Sequence, residues 1–370
     1  MSKAAELAKM GEVLTNGQIG GRRNIVINGA MQVSQRSTSV SSITATGYHA
    51  LDRFKLLYTD AGTWTMSQSS TTPNGFANSL KLDCTSAKSS LASDSRLFLM
   101  TSIEGQDVQQ FKKGTSDAKT YTLSFHVRSN KTGTYQVNIE DNDNVRIVGS
   151  TYTISSADTW EKKEITFVAD TTGAFADDNG DSLAIMWALV AGTDNSSGAV
   201  PTAWEAKSNT DRGAGLNINL ADSTSNEWYI TGVQLEVGST ATPFEHRSFG
   251  EELALCQRYF NIFGTETGNN FENFGTVVAF GTSAGEHRMQ MTMPTTMRAI
   301  PSVGNSGNFA TLGQVDGGGG TLSSIGLADG GSKTIIGLNL TMAGGNVVGD
   351  VSPFRSNNDA DAFISFDAEL

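Results

Sequence analysis

Two cysteines in 370 residues, Cys84 and Cys256, cannot form a disulfide framework, and neither has a metal-ligand or redox spacing. Both are expected to be reduced, buried and inert. The four histidines, His49, His126, His246 and His287, are too scattered for a zinc site. His246, within PFEHRS, is expected to hydrogen-bond locally. Charged residues make up only 17% of the chain and the net charge is −12, which argues against a nucleic-acid backbone or an anionic membrane as partner. Long apolar runs are also missing. The longest, 183–191, lies between Asp181 and Asp194, well short of the roughly 20 residues of a spanning helix, so it reads as a central strand and no membrane insertion is expected. Lys3, Glu6, Lys9 and Glu12 interrupt the N-terminal apolar residues and leave no signal-peptide h-region.

What is abundant is Gly, Ser, Thr and Asn, the residues of short strands joined by many turns. After a stretch 2–14 with Leu7, Met10 and Leu14 at helical spacing, and a glycine joint at Gly17, Gly20 and Gly21, the pattern becomes β. Residues 2–14 read either as a frayed tail or as a segment that folds on docking. IVINGAMQV carries an Asn28-Gly29 turn signal and LDRFKLLY follows. Further strands are expected at 63–68, 79–84, 97–103, 121–129, 134–140, 161–168, 183–190 and 228–237. Such a run without intervening helical periods indicates an antiparallel sandwich or barrel. Trp64, Trp160, Trp187 and Trp228 sit in strand patterns and are expected in the core.

The stretch 227–263 organises the chain. Trp228 and Ile230 alternate, then Val233, Leu235 and Val237 after a slip at Gly232, which predicts a strand with a bulge. Ser248 and Glu251 make an S-x-x-E capping box, and Phe249, Leu253, Cys256 and Phe260 would share one helical face. A fixed helix start predicts a defined angle between the domains on either side, which replacing Ser248 and Glu251 by alanine should loosen. Beyond it, GTVVAF, HRMQMTMP, 334–340 and 362–367 read as strands, with glycine loops at 317–320 and 344–345. The large apolar residues there are few beyond Phe271, Phe274, Phe280, Phe309, Phe354, Phe363 and Phe366. A core this thin is often completed by symmetry mates.

GVQLEVG followed by ATPFEHRSFGEELALCQRYF, with NIVINGAMQVSQR near the start, ALDRF at 50–54 and FISFDAEL at the end, resembles a family of bacteriophage virion structural proteins of tail-fibre or adhesin type. The strand order, with its Tyr-x-Leu-x-Phe strand, glycine-turn hairpin, Trp-Glu-led strand and Val-x-Leu-Glu tail, is similar to that of carbohydrate-binding jelly rolls. The resemblance implies a mainly β chain: an N-terminal docking helix and linker (1–23), a jelly-roll β-sandwich like carbohydrate-binding modules (24–247), a short connecting helix (248–263) and a small C-terminal β domain (264–370). It further implies location in the virion after assembly in the host bacterial cytoplasm, a homotrimer, docking on other virion proteins through the N-terminal segment, and host surface glycan as a partner. The alternatives are a purely architectural neck, tail or head component, and a glycan depolymerase.

Within this frame the loop 192–217 is long enough to be functional. Trp204 can stack on a pyranose while Arg212 bonds its hydroxyls, or Trp204 can pin its own loop. The motif Gly281-Thr282-Ser283-Ala284-Gly285, with His287 nearby, fits G-x-S-x-G, but a nucleophile elbow needs a following helix and residues 287–294 alternate like a strand. No catalytic residue is assigned. The acidic clusters 140–143 and 177–181 fit no EF-hand loop. Jelly rolls of this kind often hold a structural calcium, yet the resemblance fixes no ligands, and no other cofactor is expected.

Overall fold

The computed structural model describes Lys3 and residues 22–264, 270–279, 285–312, 320–328, 331–343, 349 and 351–370. The expectations for the N-terminal helix, Phe280, positions 281–284 of the serine motif, and the glycine loops at 317–319 and 344–345 lie outside the described residues. The chain divides into two compact units, residues 1–252 with Leu370, and residues 253–369.

The first unit is an antiparallel β-sandwich. In chain order its strands are β1 (Ser39–Ile43), β2 (Gly47–Tyr48), β3 (Lys55–Thr59), β4 (Thr63–Ser69), β5 (Ser79–Ser86), β6 (Arg96–Glu104), β7 (Tyr121–Ser129), β8 (Gly133–Asp141), β9 (Arg146–Ile154), β10 (Glu161–Phe167), β11 (Asp181–Ala191), β12 (Glu205–Ala206) and β13 (Glu227–Val237). One sheet runs β1-β4-β5-β13-β7-β10 and the other β12-β9-β8-β11-β6-β3-β2. The chain passes repeatedly from one sheet to the other, as in jelly rolls. Period-two alternation sends Leu123, Phe125 and Val127 of β7 and Leu183, Ile185 and Trp187 of β11 into a shared core with Trp64 and Trp228.

The structure departs from these expectations at three places. Trp160 is not in the core but half-buried just before β10. The strand β9, RIVGSTYTI, was not foreseen, because Gly149 and a run of Ser and Thr mask its inward Val148, Tyr152 and Ile154. The turn at Asn28-Gly29 is present, within the turn at 27–30, but residues 24–33 around it pair in no strand. They run as irregular backbone with Asn28 and Met31 at positive φ, and side chains satisfy their polar groups.

The bulge in β13 lies where alternation slips, with register lost between Thr231 and Gln234 and Gly232 at φ +63°. Gly29 is more constrained still. A Cβ there would fall 2.1 Å from the Val233 carbonyl oxygen, so Gly29→Ala should destabilise the first unit by about 1–3 kcal/mol, as overpacked sites do, measurable by urea titration.

The helix α1 (Phe249–Gln257) begins at the capping box: Glu251 Oε2 accepts from the Ser248 amide at 2.9 Å and from its Oγ at 2.8 Å, while Ser248 Oγ accepts from the Glu251 amide. Its inward face differs from the expected one. Phe249 is exposed, Glu252 and Cys256 are buried, and Phe260 opens a strand.

The second unit has β14 (Phe260–Gly264), β15 (Asn273–Ala279), β16 (Glu286–Thr292), β17 (Ser302–Ser306), β18 (Phe309–Thr311), β19 (Thr321–Leu327), β20 (Ile335–Ala343), β21 (Val351–Ser356) and β22 (Phe363–Asp367). Six close a barrel, β15-β16-β20-β19-β18-β21, and β14-β22-β17 make a separate sheet. The core is not a thin phenylalanine cluster: Met289, Met291, Met293, Met297 and Met342 fill it with Ile336, Leu338 and Leu340 around Phe309 and Phe354. Methionine adapts to irregular gaps, which lets a glycine-rich barrel pack. Phe271, counted with the core above, is exposed. The residues after Gly285 form β16, so the G-x-S-x-G stretch precedes a strand rather than the helix that an elbow requires.

Candidate functional site

The motifs at the two ends of the first unit meet in one polar network. Glu245 Oε2 accepts from the Asn24 amide at 2.8 Å, and Asn24 bonds Val233 and Leu235 of β13. Glu252 Oε1 accepts from the Asn28 amide at 2.6 Å and pairs with Arg247 at 3.2 Å. Arg247 also donates to the carbonyls of Asn24 and Val26. Asn28 donates to the carbonyls of Val33 and Asp52, and Asp52 holds Gln35. NIVING, ALDRF and PFEHRSFGEE are therefore a latch, and their chemistry is structural.

A second buried cluster centres on Lys113. Its Nζ donates to Asp141 Oδ2 at 2.6 Å, Asp170 Oδ2 at 3.0 Å, and the carbonyls of Thr172 and Gly173 at 2.8 Å each. Four oxygens around one centre are a cation cage, and an ammonium holds it. Calcium does not fit while Lys113 is there. Among the other carboxylates of the acidic clusters, Asp143 accepts from the Ala176 amide and Asp178 from the Gly180 amide, as turn carboxylates do. Burial alone would raise the pKa of Asp170, but hydrogen bonds from Arg146, the Thr172 amide and Lys113 outweigh it and hold Asp170 below its ordinary value. A carboxylate depressed in the fold stabilises above its unfolded pKa and loses that contribution as pH falls through the folded one. The melting temperature should thus drop steadily between about pH 5 and pH 2, and less so in Asp170→Asn.

Trp204 belongs to this cluster. Its indole N–H donates to the Val168 carbonyl at 2.9 Å, its ring meets Tyr121 edge-on, and the Lys113 ammonium lies 5.2 Å from the ring centroid. It packs partly buried against the sandwich core. Arg212 goes elsewhere, pairing at 2.7 Å with Glu140 Oε2, which Lys207 also approaches at 3.4 Å. Glu140 and Asp141 are neighbours on β8 and point to opposite faces. Trp204 and Arg212 are therefore separated by the sheet and do not form one site. The loop 192–217 that carries them is ordered by a helical turn (Thr193–Ser196), β12 and a 3-10 turn (Asn209–Asp211). It closes over the outer face of its sheet: Asn138 donates to the Arg212 carbonyl, Gln136 to that of Asp211, and the Gly215 amide to Gln136. Gln136 and Asn138 are fully buried in consequence.

The outer face of the other sheet is closed over Thr122, Ser124, Gln234 and Glu236, which are buried, and open towards β10. Lys162, Glu164 and Thr166 of β10 are exposed, while His126 and Arg128 of β7 and Lys81 of β5 are half-buried. Trp160 shares their parity and stands edge-on to Tyr229 of β13, ring centroids 6.1 Å apart. The Tyr229 hydroxyl donates to Glu227 Oε2 at 2.6 Å, Lys81 reaches Glu227 Oε1 at 2.5 Å, and Arg128 stacks 4.9 Å over the Tyr229 ring while bonding Asp158 at 2.9 Å. Burial pushes Glu227 up, but Lys81 and Tyr229 pull it below its usual range, so it stays an anionic acceptor. Farther along, Phe76, His126, Phe244 and His246 form an aromatic cluster with centroids 4.9–5.3 Å apart. His246 thus packs on rings. A half-open indole next to a tyrosine that carries a carboxylate and two cations offers a C–H-binding surface with acceptors and donors one residue away.

No family model matches the sequence, and no curated protein matches it. Solved structures to which the chain shows a distant likeness include the enzymatically active domain of tailspike protein 4 of bacteriophage CBA120 (14% identity, 58% of this chain, 21% of that chain, TM-score 0.30). Others are a putative sugar binding protein from Bacteroides thetaiotaomicron (14%, 58% and 100%, TM-score 0.33), and a family 11 carbohydrate-binding module from Clostridium thermocellum crystallised with a mixed-linked tetrasaccharide (12%, 56% and 99%, TM-score 0.27). The chain spans about a fifth of the tailspike domain's length. At such TM-scores the functional reading rests on the residues of this chain.

Proposed function

We propose that the chain is a non-enzymatic structural protein of a bacteriophage particle, of tail-fibre or adhesin type, whose β-sandwich binds host surface glycan on the open face around Trp160. The carrying observation is the contrast between the two outer faces. One is sealed by loop 192–217, and the other presents Trp160 edge-on to Tyr229, which Arg128, Lys81 and Glu227 surround. The virion assignment rests on the resemblance of the latch motifs. Weak sites repeated on one fibre give avidity far beyond a single site.

We place self-association, as a homotrimer, in the second unit, supported by Val278 and Val351, which pair across β15 and β21 and are 42% and 54% exposed. Native mass spectrometry of the full chain should show three copies; a monomer at micromolar concentration removes this part. Immunogold labelling of particles should place the protein on a fibre, and a glycan array should show binding to a restricted set of saccharides. Labelling confined to a head or neck with no array signal would favour the architectural alternative.

A further inference from the structure

The second unit contains a cavity of about 580 Å³, a size typical of small-ligand sites. The end of α1, strand β14, the start of β15 and the end of β16 line it. Phe263, Phe274, Met291 and Met293 supply apolar walls. Two polar groups in the lining have no hydrogen-bond partner among the described residues. Asn261 is 1% exposed, and its Nδ2 donates to the Gln257 carbonyl at 2.6 Å, leaving a buried Oδ1 with no hydrogen-bond partner. Glu272 Oε2 is buried and equally unpartnered. Acceptors left bare inside a protein are costly, and both of these belong to the lining of one cavity.

The chemistry of the lining selects the ligand. Both open groups accept, so the occupant must donate. Among the described residues no lysine, arginine or histidine lines the cavity, so none of them is suited to an anion. The aromatic and methionine walls favour a molecule that also has a C–H face. We propose that this cavity is a second saccharide site, separate from the Trp160 face, in which sugar hydroxyls donate to Asn261 Oδ1 and Glu272 Oε2 while the ring lies against Phe263 or Phe274.

The test is ligand-observed NMR on the full chain with methyl glucoside, methyl galactoside and N-acetylglucosamine, up to about 10 mM because single-ring sites are weak. At least one sugar should still bind Trp160→Ala, in which the face of the first unit is silenced, and in that background its affinity should fall about tenfold or more on adding Glu272→Gln or Asn261→Leu. Glu272→Gln keeps the proposal testable if the leucine variant fails to fold. Absence of binding to wild type by all three sugars would overturn the proposal, as would binding lost in Trp160→Ala but kept in Glu272→Gln, or binding of simple alkylamines alone. Because the two units carry separate variants, failure here leaves the reading of the Trp160 face untouched.

Discussion

Lys113→Met is expected to lower the unfolding free energy by about 3–5 kcal/mol, the cost of removing one partner from a buried ion pair. The substitution keeps the length of the chain and its packing on Phe175 and Trp204. It removes the only charge that offsets Asp141 in the described ion pairs and one of two that offset Asp170. Both carboxylates are buried, and two carbonyls lose their donor as well. A triple change, Lys113→Met with Asp141→Asn and Asp170→Asn, should recover part of the loss, because the amides need no counter-charge. Urea titration of the three proteins measures it. A chelator should leave the wild-type melting temperature unchanged, since the cage already holds its cation; a marked fall would mean that a metal supports the fold.

Glu252→Ala should cost a similar 3–5 kcal/mol. The residue lies at the start of α1, where surface glutamates usually stabilise only weakly, but here it is 4% exposed in its side chain and accepts from both Arg247 and the Asn28 amide. Its loss strands the Asn28 amide, leaves Arg247 with only the longer pair to Glu245 at 3.6 Å, and releases residues 24–33, which have no strand pairing of their own. Arg247→Ala should unfold the same segment, and the double variant should fall well short of the sum, as partners in one network do. Hydrogen exchange of the Asn28 and Val33 amides reports it locally. A loss below 1 kcal/mol in either single variant would show that the latch is surface decoration.

The sandwich was readable from sequence because its strands are ruled by period-two alternation, and the β13 bulge because an alternation that slips at a glycine has few other meanings. The turn at Asn28-Gly29 was legible too, but not that the segment 24–33 around it pairs in no strand, since only the distant Glu252, Arg247 and Asp52 hold it irregular. The site was half legible. Trp160 has the parity of Lys162 and Glu164, while Ile165 and Phe167 face inward, so alternation places it outside; its tryptophan identity suggested the core instead. Trp204 and Arg212 had no periodicity to sort them, and that the sheet separates them became visible only through their partners. Lys113, in a lysine pair before a turn, gave no signal of its buried cage.

The central claim is that glycan binds the open face at Trp160 and not the closed one at loop 192–217. The most direct measurement is the affinity, by biolayer interferometry, of wild type, Trp160→Ala and Arg212→Ala for purified surface polysaccharide of the host bacterium. The expected result is at least a tenfold loss for Trp160→Ala, as for removal of a stacking aromatic, with an unchanged melting temperature, and wild-type affinity for Arg212→Ala wherever it folds. Full binding by Trp160→Ala together with loss in a folded Arg212→Ala would contradict it and place the ligand on the other sheet.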